Sequence, residues 1–148
     1  MIIIRSFMLI FLILFSGMGL GKDSESQETT VELKKGGAVT AFSKEDGFKL
    51  SEKAKSNLDV KFQSLKGNGP WTIPKSALIY IKFSTGVYRK WDGWITMVLV
   101  EIIKRSKETV TIKSPDLQEG DGVAISGIPF LRMTDADLNS DTVDACSH

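Results

Sequence analysis

Histidine and cysteine are almost missing from this chain: it holds one of each, Cys146 and His148, both at its far end. One cysteine excludes an internal disulfide, so the folded domain must hold itself by its apolar core. Ser–His or Cys–His catalysis needs a base oriented by neighbours, and a terminal histidine has none. The chain is therefore expected to be non-enzymatic and to carry no cofactor. A positive excess is also lacking. Once residues 1 to 21 are set aside, 18 basic residues face 18 acidic ones, which argues against nucleic acid as a partner. No repeat or heptad segment is present, and no small-molecule substrate is evident.

Other candidate motifs are incomplete. Gly120-Asp121-Gly122 is too short for a phosphate loop and lacks the Lys-Ser/Thr pair, so it reads as a turn between strands. Asp135 to Asp141 superficially resembles a calcium loop. Without a glycine at its sixth position, and with Cys146 in place of the glutamate at its twelfth, it is rejected as an EF-hand. Met97 and Met133 read as core filling rather than soft ligands. Trp71, Trp91 and Trp94 read as core or cross-strand aromatics, with an exposed partner patch as the less common fate.

What is present begins with a separable first segment. Arg5 is the only charge before Lys22, Phe7 to Phe15 is continuously apolar, and Gly19 and Gly21 suit a signal peptidase site. This pattern predicts a secretory signal peptide over residues 1 to 21, cleaved near Gly21, and a periplasmic product. An uncleaved membrane anchor is the alternative. No cysteine lies near the cleavage region, which argues against a lipoprotein anchor. Residues 22 to 42 read as a disordered leader with a possible first strand at Val39 to Phe42. Charge is unevenly spread: residues 22 to 115 carry 17 basic and 11 acidic residues, while residues 116 to 148 carry Arg132 against seven acids. The acidic end, residues 140 to 148, is expected to be a solvated, disordered tail rather than folded back on the basic body.

Between them lies a domain at residues 43 to 139. Ser51 as a cap, Glu52 in the first turn, and Leu50, Ala54 and Leu58 four apart predict one short helix near 51 to 58. Residues 60 to 65 alternate as a strand, and Lys66 to Pro70 is a turn. Leu78 and Tyr80 alternate with Ile79, Ile81 and Phe83, so both faces of that strand are partly apolar. Ser84-Thr85-Gly86 is expected to turn the chain. Asp92-Gly93 between β-rich runs predicts a two-residue hairpin flanked by Trp91 and Trp94. Trp94 to Ile103 reads as one long strand, with further strands at Thr109 to Ile112 and Val123 to Ser126. Gly127 permits a tight bend, and Ile128 to Met133 then packs as a last apolar patch. The fold class is mainly β: a small β-roll or barrel with one short helix.

One further arrangement bears on chemistry. Asp144, Cys146 and His148 alternate, and Cys-x-His can chelate Cu(I) or Zn(II), although full sites need three or four protein ligands. A small periplasmic metal-binding protein using Cys146 and His148 is the alternative functional reading; a free tail is the other fate of these residues.

Several segments, in order, resemble the membrane-proximal domain of periplasmic adaptor subunits (membrane fusion proteins, HlyD-like) of RND-type tripartite efflux systems, heavy-metal and cation branch. Phe48-Lys49-Leu50-Ser51 through Asn57-Leu58-Asp59-Val60 is similar to the entry of that domain. Ile73-Pro74-Lys75-Ser76-Ala77-Leu78 resembles its "V-P-x-S-A-V/L" strand. Gly86-Val87-Tyr88 with Asp92-Gly93 resembles its "x-V-Y-V … D-G" hairpin. Leu117 through Gly127 resembles "G-L-x-x-G-D-x-V-V-x-x-G", and Phe130-Leu131 with Asp135 to Leu138 resembles the closing "F-L-L-D-A-E-S-x-L". The resemblance implies a free-standing β domain of that type. It also implies a role as an exported accessory protein docking on an inner-membrane efflux transporter or a full-length adaptor protein.

Overall fold

The structure, a computed structural model, describes residues 30–32 and 37–140. The expected signal peptide, most of the leader and the tail with Cys146 and His148 lie outside the described residues. The fold is mainly β, as the sequence predicts. In chain order the strands are β1 (Val31–Glu32), β2 (Val39–Ser43), β3 (Gly47–Leu50), β4 (Lys61–Ser64), β5 (Trp71–Pro74), β6 (Ile79–Ile81), β7 (Ser84–Trp91), β8 (Trp94–Leu99), β9 (Glu101–Arg105), β10 (Thr109–Lys113) and β11 (Gly122–Ser126). Two α-helices join them, α1 (Glu52–Asn57) and α2 (Ile128–Asn139).

The described strands form two sheets. The larger runs β1-β2-β3-β8-β7-β11-β4, with β6 paired to the start of β7; the smaller runs β5-β10-β9. Strand alternation explains how they stack, because successive side chains point to opposite faces. In β7, Val87 joins one buried cluster and Tyr88 the other; in β11, Val123 and Ala124 divide the same way. Val87, Val98 and Val123 meet Trp71, Ile73, Val110 and Ile112 of the small sheet. Tyr88, Ile95 and Ala124 meet Ala54 of α1 and Ile128 and Leu131 of α2. The large sheet is thus a middle layer, with the small sheet on one face and the helices on the other. Its strands are apolar on both faces because both faces are covered.

Helix α1 forms where its cap predicts. Ser51 has extended backbone and its Oγ accepts from the Ala54 amide at 3.2 Å. Glu52 pairs with Lys55, which holds its carboxyl below the usual range. Asp59 ends the turn in left-handed backbone, φ +48°. Beyond these elements, four expectations need correction. Val31–Glu32, placed in the disordered leader, pairs with β2 through Val31 and Phe42. The reversal expected at Ser84-Thr85-Gly86 falls one step earlier, at Lys82-Phe83, between the paired Ile81 and Ser84. Gly86 lies inside β7, where a Cβ would stand 2.9 Å from the Val98 carbonyl oxygen; its role is close approach, not a turn.

The long strand from Trp94 to Ile103 is two strands in two sheets. The break is at Val100, whose amide donates to Thr85, while Ser114 Oγ donates to the Leu99 carbonyl at 2.7 Å. Finally, the apolar patch at Ile128 to Met133 is the first half of α2. Pro129 sits in the first turn, where its missing N–H costs nothing, and Ile128 and Leu131 are buried three residues apart. Gly127 opens this helix at φ +76°; a Cβ there would lie 2.6 Å from Val60 Cγ2. Tyr88 Oη donates to Asp135 Oδ2 at 3.1 Å, fastening the helix to the sheet.

Candidate functional site

The Asp92-Gly93 hairpin forms as predicted. Asp92 and Gly93 take φ values of +48° and +81°, the left-handed pair that a two-residue turn between twisted strands requires. Trp91 and Trp94 are directly paired across it. By strand alternation Arg89, Trp91, Trp94 and Thr96 share the face that carries the small sheet further along. Past the edge of that sheet, the β2–β3 turn and the loop before β11 close around them. The result is a cavity of about 270 Å³ lined by these four residues and by Glu45, Asp46 and Gln118.

A buried ion pair stands at the back of this cavity. Asp121 is 1% exposed. Its Oδ2 lies 2.8 Å from Arg89 Nε and its Oδ1 accepts from Arg89 Nη2 at 3.1 Å. Nε itself is buried and off line for a hydrogen bond, so that contact is ionic. The Gln118 amide also donates to Asp121 Oδ2, at 2.9 Å. The same loop is stitched to β4 by the Leu65 amide on the Asp121 carbonyl and the Gly120 amide on the Leu65 carbonyl. At the front, Ser43 Oγ accepts from the amides of Glu45 and Asp46, and Gly47 takes φ +92° so that the turn can press on the Ile95 carbonyl. Lys49 Nζ stands 4.6 Å from the Trp94 ring centre and Arg89 Cζ 5.8 Å from that of Trp91.

The other end of β7 carries a second feature. Phe83, at the Lys82-Phe83 turn, is 102% exposed, Tyr80 is 59% exposed and Leu99 is exposed as well. Tyr80 pairs with Thr85, and Leu99 with Gly86, so both lie in the ladder just behind the turn. Arg105 Nη1 donates to Tyr80 Oη at 3.3 Å.

Of the residues singled out in the sequence, Cys146 and His148 lie outside the described residues. Among the described residues, no cluster of three or more His, Cys, Asp or Glu side chains has the arrangement of a metal site, and no helix is long and apolar enough to cross a membrane. The three tryptophans do not form one patch. Trp71 is buried between the sheets with its indole donating to Gly67, while Trp91 and Trp94 line the cavity. Met97 packs against the helix-side core, as core filling predicts, whereas Met133 is exposed. The Arg89–Asp121 pair, the Glu45-Asp46 wall and the Phe83 tip were not found by sequence reasoning. Only the Gly-Asp-Gly run marked any of them. Comparison with known protein families, with curated proteins and with solved structures finds no match for this chain.

Proposed function

We propose that this chain is a non-enzymatic, exported accessory protein whose domain docks on an inner-membrane efflux transporter or on a full-length periplasmic adaptor. The reading joins the resemblance of residues 43 to 139 to one observation: Phe83 is wholly exposed at the tip of a two-residue turn, with Tyr80 and Leu99 behind it. Burying a phenylalanine side chain is worth about 1.5–3 kcal/mol, so a ring held in water at such a tip is suited to anchor in a partner's pocket.

The test places a photo-crosslinking phenylalanine analogue at Phe83 in living cells, with Lys53 on the outer side of α1 as the control position. The expected result is a crosslink from position 83 to an efflux adaptor or its inner-membrane transporter, identified by mass spectrometry, and none from position 53. The same abundant proteins captured from both positions, or none from either, would overturn the reading.

A further inference from the structure

The cavity beside the Asp92-Gly93 hairpin is at the opposite end of β7 from Phe83, and its chemistry is different. Trp91 is 52% exposed although it is paired with Trp94 across the hairpin. Its neighbour Trp94 is half-buried. Glu45 and Asp46 line the same cavity as these rings. Arg89 is neutralised by Asp121 at 2.8 Å. Asp46 Oδ2 accepts only from Ser43 Oγ, and neither Glu45 nor Asp46 has a cationic partner among the described residues.

An indole ring has a negative face, and cations within about 6 Å of its centre are attracted to it. Both rings already show this behaviour within the chain, Trp94 with Lys49 and Trp91 with Arg89. A volume of about 270 Å³ falls just under the roughly 300–1,000 Å³ of pockets that hold drug-sized molecules, which suits one side chain better than a whole metabolite. We propose that this cavity receives a cationic side chain, the guanidinium of arginine or the ammonium of lysine, from a second polypeptide. The cation lies against the open face of Trp91, and Glu45 and Asp46 supply the countercharge. Gln118 at the rim offers a further polar contact. The inference concerns the chemistry of this cavity and stands whether or not Phe83 meets an efflux component.

The experiment uses the purified chain, labelled with nitrogen-15, and follows its indole N–H resonances. The probes are blocked Gly-Arg-Gly, the same peptide with neutral citrulline in place of arginine, and maltotriose. The arginine peptide is expected to shift the Trp91 and Trp94 signals saturably, leaving Trp71 unmoved. The citrulline peptide is expected to bind at least tenfold more weakly. Glu45→Gln should weaken the arginine peptide at least threefold without altering the spectrum elsewhere, since that side chain supports nothing in the fold. Trp91→Ala should abolish the response of Trp94. Equal binding of the arginine and citrulline peptides would overturn the proposal, as would indifference to Glu45→Gln. A response of the same two indoles to maltotriose but not to the arginine peptide would overturn it in favour of a carbohydrate site.

Discussion

At one end of β7 the chain reverses through Asp92-Gly93 between Trp91 and Trp94; at the other it reverses through Lys82-Phe83 between Ile81 and Ser84. The first turn uses residue types that tolerate left-handed backbone, places a paired aromatic on each side, and is backed by a buried ion pair. The second puts a lysine in that backbone and leaves a phenylalanine in water. Both turns close a hairpin through two residues with left-handed backbone at the first, but only the second leaves a large apolar side chain wholly in water. The difference between the two ends is therefore one of packing, not of turn geometry.

The comparison predicts unequal sensitivity to mutation. The largest effect is expected for Asp121→Ala, which leaves the Arg89 guanidinium largely buried without its carboxylate and strands the Gln118 amide. A loss of about 3–5 kcal/mol in urea unfolding is expected. The double change Asp121→Leu with Arg89→Met should cost clearly less than the single one. If the single change is tolerated, the tryptophan end is not held by this pair. Gly47→Ala is expected to cost about 3 kcal/mol, since its Cβ would stand 2.1 Å from the Ile95 carbonyl oxygen at φ +92°.

Midway along β7, Tyr88 offers a pH test. Burial, then the neighbouring Asp135 carboxylate, raises its hydroxyl well above the usual tyrosine range. A raised acid holds its proton in the folded state after the unfolded chain has released it. The stability it contributes is therefore complete below about pH 10 and is lost above it, at up to about 1.4 kcal/mol per pH unit. Tyr88→Phe should flatten that alkaline slope in urea midpoints measured from pH 9 to 11. An unchanged slope would show that another group carries it. The smallest effect is expected at the far tip: Phe83→Ser should change stability by less than about 0.5 kcal/mol, while removing any crosslink formed beside it. A large loss of stability there would show that the ring is structural, and the contrast between the two ends would collapse.

Legibility in the sequence followed the same division. The α1 cap at Ser51 and the Asp92-Gly93 hairpin were readable because each rests on local chemistry within a few residues. The mainly β character was readable from branched and aromatic runs. Helix α2 was misread because Ile128-Pro129-Phe130-Leu131 is apolar without a break and its proline looks like a stop, although the first turn of a helix accepts one. The crossing at Val100 was invisible because Trp94 to Ile103 is uniformly strand-like; only the pairing of Leu99 with Gly86 and of Ile102 with Ile112 divides it. The cavity was half legible. Trp91 and Trp94 were placed correctly across the turn, but Glu45, Asp46, Arg89 and Asp121 come together from separate parts of the chain, and no spacing rule links them.

The crossing at Val100 also sets an order of events for folding. Strands β7 and β8 are neighbours in sequence and close through a two-residue turn, so their ladder forms within a small loop. Strand β5 must instead find β10, with Trp71 opposite Ile112 and the whole β6–β9 run between them. Loop closure over that span is entropically dearer, and non-local pairing is slow. The β7–β8 ladder shortens the effective span, because it fixes where β9 leaves the large sheet and therefore where β10 returns. Changes in that hairpin should slow refolding, whereas changes confined to β5 should chiefly speed unfolding.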